Sequence, residues 1–526
     1  MRIPFLSRAL PVSAALALSA ACLPNLTTSA QTTGDLRTPA AAPTPAHGGL
    51  LLQQDFNAPG AWSDLSATGA GGTAALKPVG TVDVADTTTP SGAALLRVSN
   101  ASDGGEWDAA LTSGLLPLRN RETNLGKLTL SFDHSVSSVR PVTVQIESFD
   151  AKKKRTGGRE GVVYPAAPDF YLRSALELST LKAFGGGAFK PTDPFVKITF
   201  KMRSLPTRMT EATGSELRID NVAFASPAFY VSPKGDDKND GRTEKTAFAD
   251  PQKAIDAAQP GDIILLMDGT YKPHDPQEGV AFFKRAGTPA AWISLKNYPG
   301  QKPVISNVGA WAGIRVGSRG TKEVPSPLTA LAYLEFRGLH IRGNADTVKQ
   351  TNPERVDQSD PLTNGNGIAV EKRFEANVPH HIRIADNLIE YCSGAGFAGN
   401  GSDRTIIENN VVRNNCWWMI YAGSGISFLD SANFDAADNV YKMLVRNNTV
   451  SGNRCFVQWR QVKKISDGNG IIVDTNYVPA KNQIYLVRTL VQNNLSFNNG
   501  GSGIHAYKSH RVDIINNTAY HNGASP

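Results

Sequence analysis

Cysteine is scarce: the 526 residues hold only four. One of them, Cys22, lies in the first 30 residues. So few thiols exclude a disulfide scaffold for a chain of this length, and stability must come from packing. Aromatic residues make up only 8%. They are not interleaved with Lys and Arg, so the pattern of a nucleic-acid surface is missing. Beyond the first 30 residues no apolar run reaches the ~18 residues needed to cross a bilayer. The length itself excludes one ordinary core, because single cores stop growing at ~250 to 300 residues, and at least two domains are expected.

What is present begins with charge. A formal net charge of +7 and a pI near 9.1 favour anionic partners, and an acidic polysaccharide fits a basic exported protein. Export is read from residues 1 to 30, with Arg2 and Arg8 before an apolar Ala/Leu run and a small-residue cleavage site at Thr28-Ser29-Ala30. The expected location is secreted or periplasmic; the alternative is a lipid anchor through Cys22. Residues 31 to 47, rich in Pro, Ala and Thr, read as a linker.

The rest of the chain reads as all-β. From residue 48 to 226, short alternating stretches such as LTLSF at 128–132, VTVQI at 142–146 and VKITF at 196–200 are separated by Gly, Pro and Asp turns. Period-two alternation of this kind predicts antiparallel sheets packed as a sandwich. A sandwich without a compact cluster of acids is expected to fold by itself and to bind glycan rather than to catalyse. Residues 227 to 526 read differently. Paired turn residues recur in ADNLI, ENNVV, RNNTV, QNNLS and INNTA, with the last Asn of each pair at 387, 410, 448, 494 and 517. Two spacings of 23, with 38 and 46 between them, predict coils of about 23 residues carrying insertions. Asn tolerates the left-handed backbone of a tight bend, and stacked copies can hydrogen-bond along the axis. Cys392, Cys416 and Cys455 follow these turns closely and are expected in one buried column. The last residues, Ala524, Ser525 and Pro526, come directly after a coil turn without an evident capping segment, so a truncated product is one expectation.

Glycine-led strands form a second column: GIAV at 367, GFAG at 396, GISF at 425, GIIV at 470 and GIHA at 503. Alternation sends the residue after Gly inward and the next outward. Aligning these strands places Glu371, Asn400, Asp430, Asp474 and Lys508 at or just beyond their ends, a polar ladder flanked by insertions at 343–364, 429–442 and 456–469. Within SDGNGIIVD at 466–474, Asp467 and Asp474 bracket a Gly-rich turn and strand. His505 is expected to face outward near Tyr507, Lys508 and His510. Trp417, Trp418 and Trp459 lie near the insertions, where indoles can stack on sugar rings, and one of the adjacent pair is expected in the core.

Two segments carry resemblances. Residues 229 to 270 combine a strand, a polar loop, a short amphipathic helix near Gln252 to Ala258 and an apolar strand. This resembles the opening of secreted single-stranded right-handed β-helix proteins of the pectate-lyase superfamily, in which the helix caps the first coil. The strand LRIDNVAF at 217–224 and DFN at 55–57 resemble the ends of jelly-roll carbohydrate-binding modules. The first resemblance implies a lyase acting on a uronate-containing glycan. Carboxylates would hold Ca²⁺, here Asp430, Asp467 and Asp474, and Lys508 would take the proton beside the substrate carboxyl group, with Asp474, His505 and Asp467 around it. Trp418, Trp459, Tyr507 and Glu371 would bind sugar. Family 9 polysaccharide lyases, similar in logic, use an aspartate cluster and a lysine base, but this chain has no adjacent Asp-Asp pair on its core strands. The alternatives are an inverting hydrolase using the same acids, and a non-catalytic glycan-binding β-helix. Asp236, Asp237 and Asp240 resemble calcium ligands or else solvate a capping turn.

Overall fold

The computed structural model describes residues 49–54, 66–68, 72–77, 93–98, 108–118, 124–137, 140–203, 215–317, 330–348, 360–372 and 377–524. The expected signal, Cys22, the linker and the DFN segment lie outside the described residues.

Two antiparallel sheets form the sandwich. One contains Arg155–Val163, Val142–Phe149, Phe195–Arg203 and Asp108–Thr112; the other contains Leu172–Glu177, Thr129–Val136, Ala93–Val98 and the long strand Glu216–Val231. Alternation sends Leu130, Phe132, Val144, Ile146, Ile198 and Phe200 into one buried cluster. This is the jelly roll anticipated from the strand pattern.

Glu216–Val231 does not end where the sandwich ends. Its first part pairs antiparallel with Thr129–Val136, and its last residues, Pro227 to Val231, pair in parallel with Ile263–Leu266. The expected boundary between residues 226 and 227 therefore falls inside one continuous 16-residue strand. From there three parallel sheets wind into a right-handed β-helix. Sheet 1 continues the sandwich sheet through Ile263–Leu266, Ile293–Asn297, Ala332–Arg337, His380–Ala385, Asp403–Glu408, Tyr441–Arg446, Arg488–Gln492 and Val512–Ile515. Sheet 2 runs from Thr270–Tyr271 to Thr518–Tyr520, and sheet 3 from Ala281–Phe283 to Ile504–Tyr507. The helix Pro251–Ala257, capped by Asp250 accepting from the Gln252 backbone, buries Ala254 and Ile255 in the core of the first coil. That core continues as a column of Ile, Val and Phe side chains.

The turn asparagines form the ladder the repeat implies. Asn387, Asn410, Asn448 and Asn494 each donate Nδ2 to the Oδ1 of the next coil's Asn at 2.9–3.0 Å, ending on Asn517. The two members of each pair divide the labour. The ladder residue is the second, whereas the left-handed bend belongs to the first: Asp386, Asn409, Asn447, Asn493 and Asn516 have φ of 54–58°. A second ladder, which the paired-residue motif does not reveal, runs five residues later through Asn415, Asn453, Asn499 and Asn522 at 2.9 Å. It explains the glycine column. A Cβ on Gly425 would lie 2.7 Å from the Asn453 amide and 2.8 Å from the Gly470 carbonyl oxygen. Cys392, Cys416 and Cys455 are buried free thiols, and burial pushes all three well above the usual thiol range.

Asp236, Asp237 and Asp240 are occupied as turn acceptors: Asp236 and Asp240 bond backbone amides two residues ahead, and Asp237 takes the amides of Ala249 and Asp250. The sandwich packs on the outer face of sheet 1. Ala166, Phe170 and Leu172 meet Ile406, Leu444 and Leu490, and Gln492 donates to the Ala166 carbonyl at 3.0 Å. Beside that contact runs a buried ionic chain in which Arg383 bonds Glu335 and Glu408, and Arg446 bonds Glu408 at 2.8 Å.

Candidate functional site

The outward face of sheet 3 is built by register. Ile and Phe at the second position of each strand point into the core, so the third position faces out: Arg315, Ala369, Ala398, Ser427, Ile472 and His505 stand in one column. Five coil steps at ~4.8 Å make a column ~24 Å long, in which Arg315, Ala369 and Ile472 are buried and Ala398, Ser427 and His505 are half-buried. Its middle is floored by the small side chains Ala369, Ala398 and Ser427, with charged or titratable groups at both ends.

At one end, Arg315 donates Nε and Nη2 to Glu371 Oε2 at 3.0 and 2.7 Å and Nη1 to the Gln277 carbonyl at 2.6 Å. A recess of about 260 Å³ opens here, lined by Trp311, Arg315, Asn366, Ala369 and Glu371. Arg315 is a site residue that the strand alignment above leaves out, although GIRV at 313–316 has the same glycine-led form.

At the other end lie the sequence-predicted acids. The next outward column reads Glu371, Asn400, Leu429, Asp474 and Tyr507. Leu429, not Asp430, and Tyr507, not Lys508, occupy the ladder positions. Asp430 comes one residue later, with φ of 50°, matched by Thr475 at 55° and Lys508 at 45°. These left-handed residues end the strands and turn the chain outward. Asp430 and Asp474 are nonetheless neighbours, since the Asp430 amide donates to the Asp474 carbonyl at 3.1 Å. Burial and then the nearby Asp474 hold the Asp430 carboxyl above the usual aspartate range, against Lys481 and Lys372. Asp467 is likewise raised, first by burial and also by Asp474, while Ser466, His505 and Asn469 oppose the shift. Ser466 donates to Asp467 at 2.8 Å and Asn469 at 3.1 Å. Charge thus links these residues in pairs, Asp474 with Asp430 and with Asp467, and Asp467 with His505. Lys508 is exposed beside them, its Nζ 5.0 Å from the Tyr507 ring centroid, and that ring lies 5.9 Å from His505. His510 stacks on Tyr477 at 3.5 Å.

The tryptophans are placed differently from expectation. Neither Trp417 nor Trp418 is fully buried. Trp418 packs on Ile420 and Val457 and donates to the Ala345 carbonyl at 2.8 Å, while Trp417 stands edge-on to Tyr391 and Phe456. Both sit on turns, where strand alternation does not apply. Trp459 is half-buried in the 456–469 insertion, bridged to Lys464. Among the described residues no group of three or more His, Cys, Asp or Glu side chains is gathered closely enough to hold a metal ion. Asp430, Asp467 and Asp474 do not form such a group.

The stacked coils, capping helix and long outward groove define a right-handed parallel β-helix protein preceded by a jelly-roll sandwich. The model of the Pel9A-like, right-handed β-helix region matches residues 229–525, and the chain belongs to that family. Among solved structures, pectate lyase Pel9A is 18% identical over 56% of this chain and 69% of its own, with a TM-score of 0.36. XylC in complex with xylose is 13% identical over 56% of this chain and 62% of its own, TM-score 0.33. A family 11 carbohydrate-binding module of Lic26A-Cel5E from Clostridium thermocellum is 14% identical over 35% of this chain and 96% of its own, TM-score 0.24. No curated protein matches the sequence. No helix among the described residues is long and apolar enough to cross a membrane.

Proposed function

We propose that this chain is an exported, carbohydrate-active enzyme that cleaves an acidic polysaccharide by elimination along the groove of sheet 3. Family membership supports carbohydrate activity, and the charged, apolar first 30 residues support export. The observation that carries the site is the pairwise charge linkage of Asp430, Asp467, Asp474 and His505, with Lys508, at one end of a small-floored groove. A uronate polymer would lie along that floor. Lys508 removes the proton on the carbon next to the carboxyl group, the C–O bond to the neighbouring sugar breaks, a carbon–carbon double bond forms in the ring, and the leaving oxygen takes a proton. His505, in the outward column of the same sheet, is the proposed proton donor for that oxygen. Trp418, Trp459, Tyr507 and Glu371 are the proposed sugar contacts.

One observation favours hydrolysis as a second reading: Asp430 and Asp467 have raised carboxyl pKa values beside Asp474, and carboxyls in unlike environments are how an acid and a base are set apart. Product chemistry separates the readings. Incubation with uronate polymers should give an unsaturated product absorbing in the near ultraviolet. Reducing ends without that absorbance would replace elimination with hydrolysis, and neither signal on any polymer would leave a binding protein.

A further inference from the structure

A second cavity, of about 500 Å³, lies away from the groove, between the sandwich and the outer face of sheet 1. Its β-helix wall is a column of planar side chains, Trp292, Tyr333, His381 and Arg404, one from each of four successive coils. The column arises from repeated bulges. Ala332, His380 and Asp403 are in register, as are Leu334, Ile382 and Thr405, and the skipped residues Tyr333, His381 and Arg404 take left-handed φ of 58°, 51° and 45°. Bulky side chains rarely adopt this backbone, and three in a row at equivalent positions is strain with a common direction: each bulge turns its side chain out of the sheet to the cavity. The Tyr333 and His381 rings stack at 4.7 Å and 25°, and Trp292 stands 5.9 Å from Tyr333.

The remaining wall is ionic, with its arginines already paired: Arg173 with Asp133, Arg218 with Asp169 and Glu216, and Arg488 with Asp513. Arg173, Arg218 and Arg488 also line the cavity, against the acids Asp133 and Asp169. Arg404 gives Nε and Nη2 to Asp435 at 3.1 and 2.7 Å, and Asp435 does not take Nη1. Burial keeps His381 well below its usual pKa, so its ring contributes a neutral face rather than another charge. Tyr333 and His381 cover one face of each other, so the column offers ring edges to the C–H groups of a pyranose, and Arg404 keeps only Nη1 for a further acceptor.

We propose that this cavity is a saccharide-binding site, separate from the catalytic groove, that takes a uronic-acid unit with its ring against the edges of the Trp292–Tyr333–His381 column and its carboxylate toward Arg404 Nη1. It uses no groove residue and stands whether the groove eliminates, hydrolyses or only binds.

Titration calorimetry on the full chain with digalacturonate and diglucuronate, and with galactobiose and cellobiose as neutral controls, tests this. The groove variant Asp474→Asn/Lys508→Ala serves as background so that turnover does not intrude, and binding in the groove is recognised by its indifference to Tyr333→Asn. Uronate binding should persist there and weaken at least tenfold in Tyr333→Asn, which keeps a residue tolerant of the left-handed backbone but removes the ring. Because Arg404→Gln also disturbs Asp435, the second variant is Tyr171→Ala, at a residue that lines the cavity from the sandwich side, with weakening again expected. Absence of uronate binding in the groove variant overturns the site. So does binding that Tyr333→Asn and Tyr171→Ala leave unchanged, and equal affinity for the neutral disaccharides overturns the acidic class.

Discussion

Asn448 donates its side-chain Nδ2 to Asn494 Oδ1 at 3.0 Å across 46 residues of sequence. The same amide reaches the Ile407 carbonyl at 3.0 Å, and the Asn448 oxygen accepts from Asn410. Asn448→Ala strands several buried groups at once, each costing ~1–3 kcal/mol when left unpaired. A loss of ~3 kcal/mol or more is expected in urea unfolding. A loss below ~1 kcal/mol would mean the ladder is incidental to stability.

Glu335 makes the second case. The Arg383 guanidinium holds its buried carboxyl down at about 2 against the desolvation that pushes it up from 4.5. A depressed value means its stabilisation is complete above 4.5 and fades as pH falls toward about 2. Glu335→Gln should cost ~3 kcal/mol near neutral pH, and the gap to wild type should shrink in acid. An equal gap at both pH values would show that packing, not charge, is responsible.

Asp467 has the opposite sign. Its raised carboxyl favours the neutral form in the folded state, so its contribution is present below the ordinary value of 3.8 and lost as pH rises through the raised value. Asp467→Asn should flatten the stability profile over that window while lowering turnover. A steeper decline with pH in the variant would reverse the assignment.

Lys508→Ala should lower turnover by ~100-fold or more, and Asp474→Asn should weaken it, with circular dichroism and thermal unfolding unchanged since both positions face away from the core. Measuring with and without a chelator shows whether bound substrate completes a cation site around Asp430 and Asp474. Wild-type turnover in both folded variants would move the search to Asp430, Asp467 and Glu371.

Cutting the chain at residue 226 severs the shared strand and uncovers Ile406, Leu444 and Leu490 on sheet 1. Residues 227–524 expressed alone should aggregate or melt well below the joined protein, and the sandwich fragment should lose cooperativity. Two fragments melting as sharply as the whole would restore the picture of independent domains.

How much of this was legible depended on repetition. Paired asparagines recur as a visible motif, so the coils and first ladder could be read directly. The second ladder has the same offset but varied flanks, with Cys after Asn415 and Arg after Asn453, and it passed unseen. Glycine-led strands gave the outward column and His505, yet the strand end could not be counted to one residue, which exchanged Leu429 for Asp430. Arg315 was readable by the same rule. The cavity column was not, because Tyr333, His381 and Arg404 share a backbone bulge and no residue type.

The shared strand Glu216–Val231 has a kinetic side as well. Parallel pairing is slow when both strands must be found by a free chain, since the loop between them is closed before any contact rewards it. Here the first coil meets an edge already fixed by antiparallel neighbours, and each finished coil presents the next edge in turn. Growth from a held template runs in the direction of synthesis, so the sandwich is expected to act as the seed on which the β-helix crystallises, one coil at a time.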